Sequence, residues 1–190
     1  MQQKKELRVT LDACIIFQLA ACDTLLHTAE QNLFKPIWSE EILNEVLATS
    51  QKVLDARQQI GVLSRIEDMN TNFKASLFQT RKLWIDNIQS ILPDPKDAHV
   101  IALAIETGSK IIVTENLRDF PNYLLEPLGI QVVSFDGFMT LIFESDPQAV
   151  IDGLEKLVSR KTNPPLSILE HLLQLERLSP NFNKEVRGYL

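Results

Sequence analysis

The sequence predicts an α/β fold built on a central parallel sheet, with helices appended after it. Three observations carry that expectation. Short apolar strands such as Arg8 to Leu11 and Lys110 to Val113 alternate with stretches of helical spacing. The connections between them are short, which favours strand–helix–strand units. After about Glu144 the strands stop, and only helical stripes follow.

Arg8-Val9-Thr10-Leu11 reads as a buried strand and runs directly into Asp12. Leu33 to Trp38 reads as the next strand, with Pro36 marking an edge or a strand end. Ser39 is placed to cap a helix whose first turn carries Glu40 and Glu41, favourable against the helix dipole. From about Asp55 to Phe78 the spacing is helical, with Ile60, Leu63, Ile66, Phe73 and Leu77 as its stripe. Asp94-Pro95-Lys96-Asp97 supplies an N-cap, a proline at the first helical position and an acid at the third. That helix should reach about Thr107, stop at Gly108 and feed the strand Lys110 to Val113. Ile130 to Val133 reads as a further strand. Two helical stripes follow, Val150, Leu154, Leu157, Val158 and then Leu166, Leu169, Leu172, Leu173, separated by Pro164-Pro165 and ending near Pro180. The expected organisation is one domain over residues 1–144 and a helical extension over 145–190.

Composition narrows the class of protein. With 45% hydrophobic and 23% charged residues the chain looks like an ordinary soluble domain. No apolar run approaches the roughly 20 residues of a membrane span, and no secretory leader pattern opens the sequence. Cys14 and Cys22 cannot build a disulfide framework and read as buried, unreactive thiols in a reducing cytoplasm. A net charge of −6 argues against wrapping nucleic acid by bulk electrostatics, but not against a local basic rim around an acidic site. His27, His99 and His171 lack zinc-ligand spacing, and no nucleophile elbow or phosphate-binding glycine loop is present.

The acids are more informative. Asp12 sits where its neighbours predict burial, so it needs hydrogen bonds or a cation; a strand-end turn residue is the alternative. Glu45 borders the apolar stripe of its helix, as a solvated flank would also do. Asp97 shares a face with Ile101 and Ala104 in a helix that is apolar on nearly all sides; a capping box with Asp94 is its competing explanation. Thr114 to Asp119 follows a strand directly, at the sheet edge where ligands bind in open parallel sheets, although Asn116 and Asp119 also suit a turn before Pro121. An all-oxygen set of this kind suits Mg²⁺ or Mn²⁺.

The order of these motifs resembles the PIN domains, and most closely the VapC-like branch of bacterial toxin–antitoxin systems. The likeness rests on Val9-Thr10-Leu11-Asp12, the Ser39-led helix with Glu45, Asp94-Pro95-Lys96-Asp97-Ala98-His99-Val100 and Val113 to Pro121, spanning about residues 7–140. The resemblance implies a three-layer α/β/α fold and metal-dependent cleavage of single-stranded RNA. It implies Asp12, Glu45 and Asp97 as metal ligands, with Asp119 or a bound water completing the shell because Asn116 stands where many relatives carry an acid. Thr114, Asn116 and Arg118 would position water or phosphate, with Arg81 and Lys82 as further phosphate contacts. A small antitoxin is the partner it implies, with the C-terminal helices available for that surface or for a homodimer.

Carboxylates gathered at one edge would repel until a cation binds, so metal should stabilise the fold. The competing reading is a catalytically inactive PIN-like interaction module, which Asn116 and the acidic charge favour. A phosphoaspartate receiver domain fits badly, because Asp97 opens a helix and no receiver-type lysine loop is evident.

Overall fold

The computed structural model describes residues 6–90, 92 and 95–190. In chain order the elements are β1 Arg8–Leu11, α1 Ala13–Phe17, α2 Leu19–Ala29, β2 Lys35–Ser39, α3 Glu40–Val53 and α4 Ala56–Asn72. Then come β3 Leu77–Phe78, α5 Lys82–Gln89, α6 Ala98–Thr107, β4 Ile111–Val113, α7 Asn122–Leu125 and β5 Gln131–Val133. The chain closes with α8 Phe135–Ser145, α9 Pro147–Ser159, α10 Ile168–Leu175 and α11 Pro180–Tyr189.

The strands form one parallel sheet in the order β3-β2-β1-β4-β5. Helices layer on it, giving the three-layer α/β/α fold the sequence predicts. α6 packs across β1, β2 and β4, α2 and α3 on β2, and α8 on β5. The buried strands explain why they read as unbroken apolar runs: Val9, Leu11, Ile37, Ile112 and Val113 are all fully enclosed. The strand order reverses between β1 and β4, so the C-terminal ends of those two strands flank the switch point where open sheets bind ligands.

Local chemistry sets several boundaries. Ser39 accepts from the Ile42 amide at the start of α3, as expected of an N-cap. Gly108 ends α6 at φ 68°, the left-handed conformation a glycine takes without strain. Pro36 proves to be at a strand end rather than on an edge strand. β2 lies between β1 and β3, but β3 pairs only with Trp38 and Ser39, so no ladder bond is lost at Pro36.

Other expectations need correction. The helix expected to Phe78 stops at Asn72, and Leu77-Phe78 is a short edge strand. α4 buries Val62, Ile66 and Met69 and leaves Ile60 and Leu63 exposed. α5, between β3 and α6, went unrecognised. Asp97 is not the third helical residue: Pro95–Asp97 forms a 3₁₀ turn and α6 begins at Ala98. The expected cap Asp94 lies outside the described residues. Near the C-terminus, α10 buries His171, Leu172 and Leu175, while Leu169 and Leu173 face outward. Pro180 opens α11 instead of ending the helical region. No helix among the described residues is long and apolar enough to cross a membrane.

The C-terminal helices dock on the sheet-bearing part through α2 and α8. A Cβ at Gly153 of α9 would lie 3.0 Å from the His27 carbonyl oxygen, so glycine permits the close approach of α9 to α2. Phe182 of α11 is fully buried and meets Phe143 edge-on.

Candidate active site

At the C-terminal ends of β1 and β4 lies a cleft of about 470 Å³ lined in part by Asp12, Cys14, Glu45, Asp97 and Asn116. The structure thus brings together four of the acid and amide side chains singled out from the sequence: Asp12 at the end of β1, Glu45 from α3, Asp97 at the start of α6, and Asn116 after β4.

Asp12 is 3% exposed and accepts three hydrogen bonds. Its Oδ1 accepts from the Ala13 amide at 2.6 Å. Its Oδ2 accepts from the Thr114 hydroxyl at 2.6 Å and from the Cys14 thiol at 3.1 Å. The strand-end turn role is therefore real, since Asp12 also caps α1. Thr114 differs from expectation. It is completely buried and its hydroxyl donates to Asp12, so it holds the carboxylate. Burial, and then the charge of Asp12, push the Cys14 thiol up to about 12, which keeps it protonated and able to donate. Both cysteines are free, as expected, but Cys14 is only half-buried and stands at the site.

Asp97 behaves differently. It is half-buried and makes no side-chain cap bond to α6. Burial, followed by repulsion from Asp12, Asp119 and Glu45, raises its carboxyl to about 6. Asp119 is exposed yet close enough to contribute to that field. Glu45 is also largely exposed and faces His99, whose Nε2 lies 3.5 Å from Glu45 Oε2. That separation is a charge contact, and the buried Nε2 has no hydrogen bond. Burial opposes a charged His99, but the Glu45 carboxylate outweighs it and the imidazole is shifted upward.

Whether these residues suit a hard cation turns on donor chemistry and charge. The donors are oxygens, and the repulsion felt by Asp97 is what a cation would offset. Among the described residues, no three His, Cys, Asp or Glu side chains converge closely enough to hold an ion as they stand. The set fits by chemistry, with the carboxylates drawn apart.

Two sequence candidates, Arg81 and Lys82, line a separate cleft away from this cluster. Arg81 is paired with Glu106 through both its backbone amide and its guanidinium, so it is not a free phosphate contact. Glu115, within the loop, turns back to accept from the Phe135 amide. Arg118 is exposed on the same loop. Conversely, Cys14 and His99 went unrecognised as parts of the site. Each lies two residues from an acid singled out there, the one signal that pointed to them.

Comparison with known proteins agrees with the fold. Residues 8–118 match the PIN domain family, and residues 135–188 match the VapC50 C-terminal domain. A protein named "Putative ribonuclease VapC50" from Mycobacterium tuberculosis is 33% identical over 95 residues, covering 48% of this chain and 54% of that protein. The match spans about half the length of that relative.

Proposed function

Because the chain belongs to the PIN-domain family, we propose that it is an endoribonuclease that uses Mg²⁺ or Mn²⁺ to cleave single-stranded RNA, as the toxin of a toxin–antitoxin pair. The observation that carries the reading is the pressure on Asp97: an uncapped carboxyl raised to about 6 beside other acids, in a cleft at the sheet's switch point. A ribonuclease-named relative and a matching C-terminal domain support the same direction.

In this reading Asp12, Glu45, Asp97 and Asp119 hold the cation. When bound, it would lower the pKa of a water and offset charge on the leaving oxygen. The chain's own residues do the rest. Thr114, Cys14 and the Ala13 amide fix Asp12 in one orientation. His99 opposes the charge of Glu45 and limits where that carboxylate can swing. Asn116, with its amide on the cleft wall, orients water or a phosphate oxygen, and Arg118 meets the RNA backbone. A small antitoxin protein would be the partner, with the cytoplasm as the compartment.

The test is cleavage of labelled single-stranded RNA in Mn²⁺, in Mg²⁺ and in EDTA, with Asp97→Asn alongside. Cleavage should need the ion and fall at least about a hundredfold in the variant. A wild type that cuts no RNA and binds no Mn²⁺ by calorimetry would overturn the reading in favour of an interaction module.

A further inference from the structure

The cleft has a second half that the acids do not occupy. Past Glu45 it continues between the end of α1 and the last turns of α3, lined by Phe17, Gln18, Ala48, Thr49 and Lys52. Glu45, Thr49 and Lys52 follow one another at intervals of four and three, so they share one face of α3. Lys52 lies about 10 Å along the axis from Glu45 at 1.5 Å per residue. Along that line the wall changes from anionic to cationic.

The side chains of this arm are uncommitted. Those of Gln18, Thr49 and Lys52 have no hydrogen-bond or ion-pair partner among the described residues. Gln18 breaks α1 from α2 with an extended backbone, φ −77° and ψ 103°, which sets Phe17 and Gln18 at the mouth of the cleft. Phe17 is half-buried, packed on the core on one side and lining the cleft on the other.

We propose that this arm holds the nucleotide next to the scissile phosphate of a single-stranded RNA, its base against Phe17 and its phosphate on Lys52. The inference rests on the endoribonuclease reading and adds the place where the substrate is gripped. An aromatic face is what splayed-out single-strand bases stack on. An ammonium with no protein partner is a ready point charge for phosphate. The Gln18 amide, both donor and acceptor, can read a base edge. In a chain of net charge −6, which repels RNA as a whole, a cation beside the acids with no partner among the described residues carries weight.

The experiment measures binding of a labelled single-stranded RNA by fluorescence anisotropy in Ca²⁺ across a salt series, with KM and kcat measured in Mn²⁺. The proteins are wild type, Lys52→Ala, Lys52→Arg, Phe17→Leu and the remote control Lys184→Ala. Lys52→Ala should weaken binding several-fold and lower the slope of log affinity against log salt by about 0.7, with Lys52→Arg restoring the slope. Phe17→Leu should weaken binding about tenfold with the slope unchanged. Both changes should appear in KM more than in kcat, with the melting temperature of Lys52→Ala unchanged, that of Phe17→Leu only modestly lowered, and Lys184→Ala like wild type. If wild type binds and cuts RNA while Lys52→Ala and Phe17→Leu match it in affinity and slope, the arm is not the grip, and the endoribonuclease reading survives. If wild type neither binds nor cuts any RNA, that reading falls and the arm's assignment with it.

Discussion

The acidic cleft and the seam that docks the C-terminal helices both enclose polar side chains, and they treat them in opposite ways. In the seam the ionisable groups have protein partners, although the Thr28 and Thr140 hydroxyls and Asn183 Oδ1 are buried there without a hydrogen bond. His171 Nε2 meets the Thr24 hydroxyl at 2.7 Å, while that hydroxyl donates to the Ala20 carbonyl. Asp136 accepts from the Phe182 amide at 2.9 Å and from the Asn181 side chain at 2.7 Å. Lys161 pairs with Asp23 at 2.8 Å. In the cleft, only Asp12 is so supplied. Asp97 caps nothing, Glu45 is half in solvent, and His99 Nε2 lacks a hydrogen bond. Buried polar groups left without protein partners cost stability, so a fold tolerates them where something else is to bind. The seam pairs its charged groups within the protein, and the acids of the cleft are left for a ligand.

The largest effect expected from this contrast lies in the seam. Phe182→Ala empties a fully buried aromatic site and should cost about 3–5 kcal/mol in chemical denaturation. Little change would mean that α11 is only loosely attached and the seam is not self-sufficient. Thr114→Val keeps the shape of a buried side chain but removes a donor to a buried carboxylate. It should cost about 1.5–3 kcal/mol and lower cleavage, with the cleft otherwise intact. If stability and activity both stay at wild-type levels, Asp12 is not held as described.

The two regions should also respond to acid with opposite signs. Asp97 is raised from 3.8 to about 6, so its contribution to stability is present below about pH 4 and is lost as pH rises through 6. His171 is lowered from 6.5 to about 4, chiefly by burial, so its contribution is present above about pH 6.5 and is lost as pH falls toward 4. Between those limits, Asp97→Asn should make the melting temperature climb more steeply with pH, and His171→Asn should flatten the climb. Identical slopes in all three proteins would remove the electrostatic half of the comparison. The smallest effect is Cys14→Ala, which deletes one of three donors to Asp12 and should cost about 1 kcal/mol.

Much of the cleft was legible in the sequence because its acids sit at element boundaries, where an apolar neighbourhood makes a charge conspicuous. Asp12 closes a buried strand, Asp97 opens an apolar helix, and Gly108 marks where that helix returns to the sheet. The donors that hold Asp12 were not legible as such. Thr114 reaches it from 102 residues away, a contact that only the pairing of β1 with β4 creates. Helices α4 and α10 were harder to read. Apolar residues occur on more than one face of α4 and α10, so spacing alone could not tell buried Val62 and Leu175 from exposed Ile60 and Leu173. β3 escaped recognition because two residues form no pattern, and their pairing depends on where β2 already lies.

The most direct test of the central claim, that the cleft is an electrostatic deficit awaiting a cation, is the melting temperature of wild type and Asp97→Asn at pH 8, in EDTA and in Mn²⁺. The account predicts that the variant melts higher than wild type in EDTA, because one repelling charge is gone, and that Mn²⁺ raises wild type more than the variant. A variant that melts lower in EDTA, with neither protein shifted by Mn²⁺, would contradict it.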